Sequence, residues 1–330
     1  MITPEFLQAS IPGALDAIDA IDLPGLPLIA RGKVRDAFAL PGGQRLLVTT
    51  DRVSAFDRVL GTIPYKGQVL NQLTAWWLEA TRDIIDNHLI EVPDPNAMTV
   101  LEARPLPVEV IVRGYITGVT STSLWTLYER GVERPYGLDL PAGLRKDDPL
   151  PSPVITPTTK AGPGEHDERL TSDEVVSRGL VAPALWARVT AAATALFERG
   201  QALARERGLI LVDTKYELGL VGERLVLIDE VHTPDSSRYW VAESYERSRA
   251  TGEPPEHFDK ELLRQWLSER GYRGDGPFPG IPDEVKVRLA AHYIAVYERL
   301  TGEAFVPGAQ PAAERVQAAI AARYGAPAPS

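Results

Sequence analysis

Residues 209–231 constrain this chain more than any other segment. Two apolar runs, 209–218 and 224–231, flank Val221-Gly222-Glu223, which is the pattern of a β-hairpin. Alternate residues of a strand share a face. Asp213, Lys215 and Glu217 therefore point one way, and Ile210, Val212, Tyr216 and Leu218 the other. The second run adds Asp229 within Leu-Val-Leu-Ile-Asp-Glu-Val. Charges rooted in apolar strands have to be paired or bind a cation. Carboxylates are hard ligands that suit Mg²⁺ shared with nucleotide phosphates. A solvated outer face with a cross-strand salt bridge is the alternative, and the apolar flanks weigh against it.

The rest of the chain sets the frame for that hairpin. At 330 residues, about two domains are expected. Cysteine is absent, which excludes disulfides, Cys-ligated metals and a thiol nucleophile. A net charge of −10 argues against nucleic acid as a partner. No 18-residue apolar run is present, so no membrane span is expected. The first 20 residues carry acids and proline where a signal peptide needs a basic start, so a cytoplasmic protein is expected.

Turn signals divide the first third into short strands at 26–31, 34–40, 44–50, 89–92, 98–103 and 108–115. Helical periodicity covers 68–85, 182–207, 259–270, 283–300 and 312–324. Arg104-Pro105-Leu106-Pro107 reads as a hinge, which predicts a mainly-β lobe over 1–107 and a larger α+β lobe over 108–330. Residues 131–168 are rich in Pro and Gly without periodicity, as expected of a long functional loop.

Further motifs lie on loops. Gly32-Lys33-Val34-Arg35 sits between two strands, where a glycine and cations suit an anion, although a plain charged turn has the same composition. Neither a Walker A loop nor a G-x-G-x-x-G is present. Asp51, Ser54 and Asp57 follow a buried strand, as either site residues or turn caps. Arg113 ends an apolar strand, and the hydroxyls of 120–123 precede a helical run, suiting an anion or ordinary capping. Lys160, His166 and Asp167 fall in the long loop, and Arg238 has the planar fork suited to phosphate or carboxylate.

Taken in order, GKVRD, TTDRVSAFD, KGQVLNQLTAWW, EVIVRGYITG, TPTTKA with GEHDE, LVDTKYELG, LIDEVHTPDSSRYW and FDKELLRQWL resemble the phosphoribosylaminoimidazole-succinocarboxamide synthases, or SAICAR synthetases, over about residues 28–300. The resemblance implies an α+β fold related to ATP-grasp enzymes, with a small antiparallel nucleotide lobe over a larger α+β lobe. It implies an ATP-dependent ligase of purine biosynthesis that joins carboxyaminoimidazole ribonucleotide to L-aspartate, with ATP and Mg²⁺ as cofactors. Small molecules would be its partners, and the chain would act as a monomer or homodimer. It implies Glu217 and Asp229 as metal ligands, and Gly32, Lys33, Val34 and Arg35 at the ATP phosphates. Adenine would lie near Glu102, Arg104 and Leu106. Arg113, Arg238 and Ser123 would hold the nucleotide substrate, with Ser121 competing for the place of Ser123. Asp213 and Lys215 would be catalytic groups beside the imidazole. Lys160, His166 and Asp167 would form a substrate loop, and Asp51, Ser54 and Asp57 would orient aspartate. A small-molecule kinase and a nucleotide-binding regulator without turnover are the other readings. A kinase lacks a need for so many cations, and a regulator has no use for paired metal acids.

Overall fold

A computed structural model of the chain describes residues 2–18, 25–56, 58–160 and 167–325. Its helices are α1 (Pro4–Ser10), α2 (Lys66–Ala80), α3 (Leu124–Glu129), α4 (Ser172–Ser177), α5 (Pro183–Glu206), α6 (Ala242–Thr251), α7 (Glu261–Glu269), α8 (Asp283–Thr301) and α9 (Ala312–Tyr324). None is long and apolar enough to cross a membrane.

The first sheet holds β1 (Leu28–Arg31), β2 (Arg35–Leu40) and β3 (Gln44–Thr49). After the small hairpin of β4 (Arg52–Ala55) and β5 (Arg58–Thr62), it adds β6 (Leu89–Asp94) and β7 (Ala97–Leu101). The order is β1-β2-β3-β7-β6, antiparallel throughout. Burial alternates along β2, so Phe38 and Leu40 join Leu46 and Val48 of β3 on one inner face. That face is closed by Ala312, Val316 and Ile320 of α9. The last helix thus packs with the first strands, across the lobe boundary expected at 107. Helix α2 crosses it too, packing on α8.

The second sheet takes β8 (Arg104–Pro105), β9 (Val108–Tyr115), β10 (Pro149–Ile155), β11 (Thr158–Thr159), β12 (Leu209–Val221), β13 (Arg224–Ile228) and β14 (Ser237–Val241). Its main path is β10-β9-β12-β13, with β8 and β14 also on β12 and β11 on β9. The 13-residue β12 is almost wholly buried from Leu211 to Gly219. Helix α5 lies along it, burying Trp186, Val189, Ala193, Leu196 and Phe197 at helical spacing. Its Gly200 allows the close approach: a Cβ there would sit 2.4 Å from the His232 ring.

Two expectations change. The 131–168 stretch contains β10 and β11. β10 reads Pro-Leu-Pro-Ser-Pro-Val-Ile, and it forms the end of the sheet's main path, where missing N–H donors cost little. The hinge at 104–107 is itself tied down. Gly219 pairs with Pro105, and Leu106 N donates to Leu218 O at 2.9 Å. Residues 237–241 form a strand on β12 ahead of α6.

Candidate active site

The odd-numbered face of β12 carries two charge clusters. At one end, Lys215 Nζ donates to Glu217 Oε1 at 2.7 Å and to Glu109 Oε1 of β9 at 2.9 Å. The same nitrogen lies 3.8 Å from Asp229 Oδ2, in the turn after β13. Lys160 pairs closely with Glu217. Arg35 reaches over from the first sheet to pair with Asp229, and lies 3.4 Å from Glu230. Four carboxylates and three cations are thereby joined. Burial acts to raise the Glu217 pKa, but Lys215 and Lys160 outweigh it and hold it at about 2. Burial would likewise lower Lys215, yet Glu217 and Glu109 keep it above its ordinary value. Glu109 goes the other way: burial dominates and its pKa rises. Asp229 adopts a left-handed φ of 63°, uncommon for a residue other than glycine.

Glu217 and Asp229 fit a Mg²⁺ ion by their chemistry. They are two hard carboxylates facing one shared nitrogen, and Mg²⁺ in nucleotide sites completes its shell with waters and phosphate oxygens. Among the described residues there is no cluster of three or more acids or histidines that would form a full protein cage.

Four residues back from Glu217 along β12, about 13 Å at strand spacing, the polarity inverts. Asp213 accepts from Arg113 Nη1 at 2.6 Å, from Arg238 Nε at 2.8 Å, and closely from Arg238 Nη2. Burial would raise this carboxyl, but the two guanidiniums keep its pKa below the usual value. The registers explain the meeting: Asp213 lies opposite Arg113 on β9 and Arg238 on β14. Arg113 Nε also donates to Thr156 Oγ1 at 2.9 Å. Gly118 (φ 103°) closes the far side, with room for a Cβ blocked by Ser123 at 2.5 Å and Arg238 Nη1 at 3.4 Å. Buried Ser123 caps α3 beside that guanidinium, whereas Ser121 is exposed.

Not every expected residue reaches these clusters. Asp213 does reach one, where both its oxygens are engaged by the two arginines it separates. Asp51 lies apart from both clusters. It is 1% exposed, and its oxygens accept from Leu15 N (2.7 Å) and Gly67 N (2.8 Å), which makes it an internal brace. Burial pushes its pKa up to about 6. Ser54 sits half-buried on β4 opposite Val59, joined to neither cluster. Asp57 and His166 lie outside the described residues. Asp167 lies near enough to Glu109 to add to the rise that burial causes there.

The Gly32–Arg35 turn is held from behind. Arg52 donates to Gly32 O at 3.0 Å and Lys33 O at 3.2 Å, and to Asp36 at 2.7 Å, while Thr50 binds Val34 O. Lys33 is exposed at the tip and Arg35 points to Asp229. Glu102 is exposed and pairs with Arg45; Arg104 is exposed and Leu106 buried, where the chain passes between sheets.

Several residues escaped the sequence reading. Glu109 shares a face of β9 with Arg113, and the alternation used for β12 would have found it. Glu230 needed the turn geometry after β13. Lys66 is fully buried, 2.9 Å from Asp235, which also accepts from Tyr293 at 2.7 Å. Nothing local in the sequence signals that a lysine at a helix start meets an acid 169 residues later.

The SAICAR synthetase family model matches residues 28–277. The phosphoribosylaminoimidazole-succinocarboxamide synthase of Legionella pneumophila is 50% identical over 284 residues, covering 85% of this chain and 90% of the relative. A putative synthase of the same name from Mesorhizobium japonicum is 49% identical, covering 86% and 91%. Among solved structures, the SAICAR synthase of Saccharomyces cerevisiae complexed with SAICAR superposes with a TM-score of 0.75 at 35% identity, covering 86% of this chain and 97% of that one.

Proposed function

This chain belongs to the SAICAR synthetase family, and on that premise we propose how its two charge clusters divide one ligation between them. The enzyme is an ATP-dependent ligase of purine biosynthesis. It joins the carboxylate of carboxyaminoimidazole ribonucleotide to the amine of L-aspartate, releasing ADP and phosphate. A carboxylate is a poor electrophile. Its oxygen attacks the γ-phosphorus of ATP and ADP leaves. The aspartate amine then attacks the activated carbonyl, phosphate departs, and the nitrogen gives up a proton. Such transfers demand positioning and charge neutralisation more than covalent catalysis, which suits a chain without cysteine.

The observation that carries the reading is the spacing of opposite receptors on one strand. The Arg113–Asp213–Arg238 cluster is a receptor for the ribotide phosphate. Lys215, about 7 Å along β12, and Glu217, about 13 Å along it, receive the reacting carboxylate and the ATP phosphates. Lys33 and Arg35 face those phosphates from the first sheet, and Lys160 does so from the second. Glu217 and Asp229 would hold Mg²⁺, which when bound supplies charge neutralisation at the transferring phosphoryl group. Adenine would lie along the 102–106 crossover. In this reading the first sheet forms a lobe over ATP and residues from 108 onward carry the substrates. The cytoplasm is the proposed location, where ATP and phosphorylated intermediates are shared.

The kinase reading is not favoured, since the relatives that cover most of the chain are named as synthases of this ligation. The test is ADP release by the purified chain with each substrate omitted in turn. ADP and the amide product are expected only when ATP, the carboxylated ribotide and aspartate are all present. Equal ADP release without aspartate or without the ribotide, and no amide, would overturn the ligase.

A further inference from the structure

Against Tyr136 and the start of α4 lies a cavity of about 310 Å³ that the reaction outlined above leaves unassigned. Its lining includes Arg134, Tyr136, Glu168, Arg169 and Glu174. Tyr136 stands at φ 56° and ψ 23°, a left-handed conformation that is a clear outlier for an aromatic residue. Its ring packs with Ile116, Leu124 and Leu127, and its hydroxyl donates to Thr122 O at 2.8 Å, within the 117–123 loop. The phenol also faces Arg113. Burial pushes its pKa up, while Arg113 and Arg169 pull against that rise from close by. The cavity's other charges are already matched. Arg134 pairs with Asp139 at 2.8 Å, and Arg178 holds both Glu168 and Glu174 at 3.0 Å. Arg169 is exposed and, among the described residues, forms none of these ion pairs.

Charge arithmetic gives Arg169 a purpose. Two guanidiniums and one carboxylate leave the Arg113–Asp213–Arg238 cluster at +1. A phosphate monoester carries roughly −1.5 to −2 at neutral pH. A third cation at the mouth would balance it. Resting on the ligase reading, we propose that Arg169 is a specificity-determining contact to the ribotide phosphate, and that Tyr136 is the positioning residue that holds the 117–123 loop and Arg113 for it.

The test compares the carboxylated ribotide with the matching riboside that lacks the phosphate. In Arg169→Gln, KM for the ribotide should rise about tenfold, the loss of one charged phosphate contact. KM for ATP and aspartate should stay, and kcat/KM for the riboside should not change. Arg169→Lys should recover part of the loss. Tyr136→Phe should raise the ribotide KM by a smaller factor with the same selectivity. Arg169 is exposed, so its variants keep the fold, and a thermal melt checks this. An unchanged ribotide KM in Arg169→Gln, or an equal loss with the riboside, would overturn the proposal while leaving the ligase intact. A wild-type chain that makes no amide from the complete substrate set would overturn both.

Discussion

The two ends of β12 are built from the same strand and solve opposite problems. At Asp213, one carboxylate separates two buried guanidiniums and leaves an excess of positive charge. At Glu217, carboxylates outnumber the cations that hold them. The first end is tight: Asp213 is 6% exposed and its side chain bridges three strands. The second is looser, since Lys160 is 40% exposed and Arg35 comes from the other sheet. Under the proposed reading, a rigid anion receptor beside an adjustable phosphate-and-metal receptor would suit one substrate that stays while others exchange.

That contrast can be broken in order of effect. Glu217→Gln should lower kcat by about 10³-fold, the scale of removing a preorganised charge at a developing one. The melting temperature should change little. Near-normal turnover at limiting Mg²⁺ would remove Glu217 from the metal site. Asp213→Asn should act on stability instead, costing about 3–5 kcal/mol, because two buried guanidiniums lose their shared partner. Chemical denaturation reads this out, and a cost below about 1 kcal/mol would mean the pair is solvated.

A pH series separates the ends further. His232 sits behind the turn that carries Asp229, its Nε2 against Tyr216 OH. Burial lowers its pKa, and that of His88, to about 3 from 6.5. Both are neutral in the fold, so the unfolded chain binds more protons between these values. Their contribution is full above about pH 6.5 and is lost as pH falls towards 3. At pH 5 the loss is about 2 kcal/mol from each. Stability measured from pH 7 to 5 should fall, and less so in His88→Asn. A flat profile would mean neither ring is held neutral. The smallest effects come from lysine. Lys215→Arg should lower kcat/KM by about tenfold, since a planar fork cannot sit among three carboxylates as an ammonium does. Lys286→Arg, on a surface pair with Asp283, should be silent. Equal effects would make the ammonium at 215 replaceable.

Much of the fold was legible because period and turn chemistry are local. β2, β3 and β9, together with helices α5, α8 and α9, fall within a few residues of their expected bounds. Helix α2 ends at Ala80, short of the expected 85, and the chain turns at Thr81. β10 was missed because its prolines suppress the strand signal, which an edge position tolerates. The alternation on β12 correctly set Asp213, Lys215 and Glu217 on one face. It carried no information about which neighbours each would meet.

The sequence by itself determined the types of charge, their spacing on one strand, and the family resemblance, since all three are properties of order along the chain. The tertiary structure alone decided the partners. Pairing β12 with β9 and β14 turned Asp213 into a spacer between Arg113 and Arg238. The antiparallel register with β13 brought Asp229 to Lys215 and Glu217. Burial did the same for Asp51, whose oxygens went to the amides of Leu15 and Gly67. A buried charge takes whichever partner the packing brings within reach, and that partner is usually far away in sequence.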